Sequence, residues 1–196
     1  METRNGIKTY HAKSRKEWRS WLKKNGEKEQ SVWLIIYRKG AEKESVYYEE
    51  AVEEALCFGW IDSKPNKRDD ESFYQFFAKR NPKSNWSKIN KERVARLTDE
   101  GLMTDKGLKV IEEAKLNGNW TALDKIENIE LPDDLQKALC KNKEAEKFFN
   151  AFPRSVKKGI LEWIQNAKKE ETRSKRIEET VLLATKNIRA NQYKPK

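Results

Sequence analysis

Two side chains that could react stand close together in the stretch EEALCFGWIDSK, residues 53–64: Cys57 and Asp62. A general base needs a poised pKa and an acid partner, and the single histidine, His11, lies some fifty residues upstream. Asp62 is therefore expected to pair with Lys64 or Arg80, or with the Trp86 indole. A reactive thiol needs a cationic, accessible setting, whereas Cys57 has Leu56 and Phe58 as neighbours and reads as a small hydrophobe. One histidine and two widely separated cysteines do not compose an ordinary zinc site. No Gly-rich phosphate loop, H-E-x-x-H or G-x-S-x-G is present, and the 8 glycines are all isolated. The expectation is a protein without metal or cofactor. A small-molecule enzyme with a site near Asp62 is the least favoured reading.

The loop RNPKSNWSK, residues 80–88, offers different chemistry. Arg80, Lys83 and Lys88 supply positive charge, Ser84, Asn85 and Ser87 supply hydrogen-bonding groups, and Trp86 supplies a flat apolar face. Cations interleaved with aromatics suit an anionic ligand or a nucleic acid. The same residues also suit a helix start, with Ser84, Asn85 or Ser87 as N-cap and Trp86 packed on Trp60. Both readings are compatible, because a helix N-terminus itself attracts anions. The candidate binding residues are Trp60, Asp62, Lys64, Arg80, Lys83, Ser84, Asn85, Trp86 and Lys88. Around them the run 79–96 holds Lys79, Arg80, Lys83, Lys88, Lys91, Arg93 and Arg96 against Glu92 alone. The run 42–54 is the reverse, with Glu42, Glu44, Glu49, Glu50, Glu53 and Glu54 against Lys43. Arg173 and Arg176, three apart on one helix face, are expected to dock against that acidic run.

Several elements must position these groups. Ser14-x-x-Glu17 is a capping-box pattern, followed by Trp18, Trp21 and Leu22 at helical spacing. SVWLIIYRKG, from residue 31, is a continuous apolar run and reads as a strand buried on both faces. Ala51, Val52, Ala55 and Leu56 share one helical face, with glutamates on the other. After Gly59 the period becomes two, and residues 59–79 read as an antiparallel hairpin turning at RDDE. Trp60, Asp62 and Lys64 then share one face. Two helices follow, one with Ile89, Val94 and Leu97 inward, the next capped by Thr104 with Leu108, Ile111 and Leu116 inward. Beyond a stretch without periodicity at 121–132, every element reads as helix. The expected fold is α+β: a small antiparallel sheet of about three strands packed with helices in 1–120, a linker or loop at 121–132, and an all-helical module at 133–196.

The totals agree with a folded, highly charged protein. Charged residues make up 38% and apolar ones 36% of the 196, yet 7 Trp, 6 Tyr and 7 Phe argue against disorder. The net charge of +10 suits solubility or a polyanionic partner. METRNGIKTYHAKS lacks the apolar core of an export signal, no segment is apolar enough to span a bilayer, and the cysteines do not form a framework. The expected location is the cytoplasm.

EEALCFGWIDSK, NPKSNWSKINKERV and GLKVIEEAKLNGNW resemble the N-terminal part of the bacterial YdeI/OmpD-associated family. LPDDLQKAL and WIQNAKKEETRSKRIEE resemble its helical C-terminal module, so the resemblance runs over about residues 10–190. It implies a non-enzymatic stress-resistance protein that binds a partner, linked to bacteriocin protection, resistance to cationic antimicrobial peptides and association with a porin. It implies no catalytic residues and no cofactor. The partner is then an unidentified protein or anionic ligand. A sequence-nonspecific nucleic-acid or anionic-ligand binder using 79–96 is the alternative.

Overall fold

The computed structural model describes residues 2–192. The chain divides between Thr121 and Ala122 into two compact units. The first is a five-stranded sheet covered by helices, and helices alone follow it. The α+β class is as expected, but the sheet is larger than about three strands and is mixed. Its order is β1(Thr3–Arg4), β2(Ile7–His11), β3(Ser31–Tyr37), β5(Ser72–Lys79), β4(Trp60–Lys67). Two strands come from the polar N-terminus. Asn5 and Gly6 both take left-handed backbone, φ 51° and 74°, which is the geometry an Asn-Gly hairpin turn requires. That dipeptide carried the signal for β1 and β2. β2 then pairs in parallel with β3, Thr9 opposite Trp33, across α1(Arg15–Asn25).

β3 is central, and this explains its unbroken apolar sequence: every residue from Val32 to Tyr37 is buried. Val32, Leu34 and Ile36 face the helices with Phe77, while Trp33, Ile35 and Tyr37 join Tyr74 on the opposite face. Ser14 caps α1 by accepting from the Glu17 amide, as its sequence pattern predicts. The Trp18 indole N–H ties α1 to α2(Tyr48–Cys57) through the Ala51 carbonyl at 3.0 Å. At the same interface Glu54, 2% exposed, accepts from Arg15 and Arg19, both at 2.6 Å. The acidic run therefore has cationic partners within its own unit.

Ser87 caps α3(Lys88–Asp99) and Thr104 caps α4(Asp105–Leu116). Their inward stripes are narrower than the spacing suggests. Val94, Leu97, Ile111 and Ala114 are buried, but Ile89 is 61%, Leu108 37% and Leu116 89% exposed. Ile89 and Leu116 lie at helix ends, where the packed face runs out.

In the second unit the segment expected as a linker or loop, 121–132, carries a short helix, α5(Asp124–Glu127), whose Ile126 is buried in a core with Leu135, Phe149, Ile160 and Ile177. Four helices complete it: α6(Asp133–Cys140), α7(Lys143–Ala151), α8(Arg154–Gln165) and α9(Glu170–Thr185). Arg173 pairs with Asp134 through two bonds, at 2.6 and 2.9 Å, and Arg176 reaches the Trp163 carbonyl. Both guanidinium groups thus have their acceptors within the helical unit. Among the described residues no helix is long and apolar enough to cross a membrane.

Candidate binding cleft

The motif around Gly59 builds a cleft of about 510 Å³, walled by the end of α2, the start of β4, the end of β5 and one face of α4. Two tight glycines fix this wall. Gly59 has φ 74°, and a Cβ there would lie 2.9 Å from Val110 Cγ2 on α4. A Cβ on Gly107 would meet the Cys57 carbonyl oxygen at 2.3 Å. The same carbonyl accepts from the Thr104 amide and hydroxyl, at 3.1 and 2.6 Å, so α4 is held against the end of α2.

Trp60 and Arg80 both line the cleft. Trp60 is 1% exposed and gives its indole N–H to the Gly26 carbonyl at 3.3 Å. Arg80 is 7% exposed, and its amide donates to the Gly59 carbonyl at 3.0 Å, which joins the hairpin's end to its start. Its guanidinium sits 3.7 Å over the Trp86 ring and gives one hydrogen bond, from Nη2 to the Asn85 carbonyl at 2.6 Å. Nε and Nη1 are buried with no partner. Such unmade bonds are expensive, about 1–3 kcal/mol for a neutral group and more for a charged one. Burial lowers the Arg80 pKa to about 10, with Asp62 pulling it partly back, so the group is cationic at neutral pH. This arginine is the chemically distinctive side chain of the cleft.

The other candidates divide clearly. Asp62 accepts from the Tyr48 hydroxyl at 2.7 Å in place of the ion pair or indole bond expected of it, because its strand face turns it toward α2. Burial and that carboxylate push the Tyr48 phenol up to about 12. Lys64 does not continue the Trp60–Asp62 face: the register shifts between Asp62 and Pro65, and this irregularity breaks the alternation. Trp86 is buried, but its ring partner is Trp120, 5.0 Å away, while Trp60 meets Trp21 at 6.0 Å. Among the described residues no ring contact joins Trp60 to Trp86. Ser84 bonds within its own turn, to the Asn81 carbonyl at 2.7 Å. Lys83 and Lys88 are exposed and do not line the cleft.

The basic run also loses much of its freedom. The Lys79 ammonium reaches the Glu27 carbonyl, Arg93 bonds Asn90, and Arg96 pairs with Glu53 and Glu100. Cys57 is buried, and burial raises its pKa, the setting of an inert thiol. Cys140 is exposed.

Sequence reasoning missed the α4 side of the cleft, formed by Lys106, Lys109 and Val110, together with Phe58 from the end of α2. Lys106 and Lys109 are three apart and so share one helix face. That spacing was readable, but nothing local says which sheet edge α4 meets.

Residues 10–110 match the family described as Domain of unknown function (DUF8412), and the chain belongs to that family. Residues 128–187, within the helical unit, match the family described as Bacteriocin-protection, YdeI or OmpD-Associated. The YdeI/OmpD-associated resemblance is thus shown for the helical segment, while the sheet-bearing segment matches the other family. No curated protein and no solved structure matches the chain.

Proposed function

We propose that this is a cytoplasmic binding protein of the YdeI/OmpD-associated type, acting in stress resistance without catalysis, and that its ligand is an anion seated at Arg80. One observation carries the reading: Arg80, nearly buried, is among the residues that line the cleft, and its Nε and Nη1 have no hydrogen-bond partner. A charged group desolvated in this way destabilises the ligand-free protein, and an anion in the cleft offsets that penalty. The reading also fits the charge. A chain of net +10 repels cationic peptides at long range, so any part in resistance to them runs through an anionic partner rather than direct capture.

Thermal unfolding with sodium benzoate, at ionic strength matched by chloride, tests the proposal. The melting temperature should rise with benzoate for the native chain and not for Arg80→Met. Without ligand that variant should be at least as stable as the native chain, since methionine keeps an apolar stem and removes a poorly paired buried charge. Equal benzoate shifts in both proteins, or none in either, would overturn the assignment.

A further inference from the structure

We infer that the Arg80 cleft takes the dianionic head of a small phosphate monoester, with the ligand's apolar part against Phe58 and Val110. This deepens the anion-binding reading above and rests on it. The first argument is charge. The cleft is lined by Lys79, Arg80, Lys106 and Lys109 against Glu27 and Glu113, four cations facing two carboxylates. Glu27 is already engaged by Lys106 at 2.6 Å, and that contact holds its carboxyl below the usual range. The Lys79 ammonium is held by a backbone carbonyl, that of Glu27 at 2.8 Å, which orients it without neutralising it. Among the lining residues two positive charges are left over, with the Asp62 carboxylate acting on Arg80 from outside the lining. A monocarboxylate matches only one of them, whereas a phosphate monoester carries close to two negative charges at neutral pH.

The second argument is placement. Lys79 ends β5 and Arg80 follows it, while Lys106 and Lys109 share a face of α4, so the cations come from two parts of the fold pinned together at Gly59. Arg80 is the most buried of the four, and its Nε and Nη1, without hydrogen-bond partners, suit a group with several acceptor oxygens once the side chain turns to meet it. The third argument is the remaining lining. Phe58, Pro82 and Val110 supply apolar surface beside the cations, and about 510 Å³ lies within the usual range for small-molecule sites.

Phenyl phosphate and phenyl sulfate make the test, since they share a shape and differ by about one charge at neutral pH. Calorimetric titration of the full chain at pH 7.5 should give phenyl phosphate roughly tenfold tighter binding than phenyl sulfate. The gap should close at pH 5, below the second phosphate pKa near 6. Lys109→Gln should weaken phenyl phosphate several-fold more than phenyl sulfate, and Arg80→Met should abolish binding of both. Inorganic phosphate should bind more weakly than phenyl phosphate; equal binding would overturn the apolar half of the inference. Equal affinity for the two phenyl esters at pH 7.5, both lost in Arg80→Met, would overturn the dianion inference and leave the anion-binding reading standing. No binding of either ester, or binding indifferent to Arg80, would overturn both.

Discussion

Arg80 and Trp86 form a stacked pair in which the guanidinium lies 3.7 Å from the indole and both side chains are nearly buried. The pair joins the end of the hairpin to the loop that starts α3. Arginine suits this position because its flat, weakly hydrated cation tolerates burial against an aromatic face better than an ammonium does. Trp86 in turn rests on Trp120 near the end of the first unit.

Trp86 is thus a core side chain that also supports the cleft. Trp86→Ala should destabilise the protein by about 3–5 kcal/mol, measured by urea unfolding. A loss below about 1 kcal/mol would show that the indole is dispensable for packing and lies at the site only for a ligand.

Glu54 makes the contrast between buried and exposed ion pairs testable in one protein. It is 2% exposed and bridges Arg15 and Arg19, of which Arg15 also pairs with Glu53 at 3.0 Å, so Glu54→Ala leaves Arg19 without a carboxylate and should cost about 3 kcal/mol. Arg96 is 47% exposed in its pairs with Glu53 and Glu100, and Arg96→Ala should cost less than about 1 kcal/mol. Denaturant midpoints of the two variants decide the order, and a reversed order would refute the argument.

In the helical unit, Arg173 holds the Asp134 carboxyl below its usual value. A depressed carboxylate contributes stability that is present above its unfolded pKa of about 3.9 and is lost as pH falls through the lower folded value. Arg173→Gln should therefore be less stable than the native chain at pH 7. The difference should shrink as the pH drops below about 4 and vanish once Asp134 is protonated in both states. A difference that persists undiminished to pH 2 would assign the effect to packing instead of charge.

Nucleic-acid binding is the competing use of residues 79–96. Several of these cations are committed within the chain, whereas Lys83 and Lys88 are exposed on the surface. If duplex DNA binds here, the log–log salt slope should be no steeper than about −2, near −0.9 per phosphate contact. Lys83→Ala and Lys88→Ala should each reduce it by about one. A slope of about −5 or steeper would mean a larger nucleic-acid surface than the exposed lysines of this run provide.

The local grammar of this chain is written in its residues. Ser14, Ser87 and Thr104 act as caps because a side-chain oxygen one turn from an unpaired amide needs no distant partner. The unbroken apolar run of β3 reports burial on both faces, and RDDE reports its turn through Asp69, which accepts from the Glu71 and Ser72 amides. The Asn5-Gly6 hairpin was equally local but sat in a polar stretch whose strands carry no apolar run. The binding cleft was legible only in part, at Trp60 and Arg80. Tertiary structure alone brought Lys106, Lys109 and Val110 to the end of β5, gave Trp86 to Trp120, and turned Asp62 to Tyr48. It also buried Arg80, a residue type that sequence patterns assign to the surface. These outcomes depend on which faces meet across gaps of fourteen to thirty-four residues, and backbone closure at Gly59 and Gly107 settles that, not the preference of any side chain.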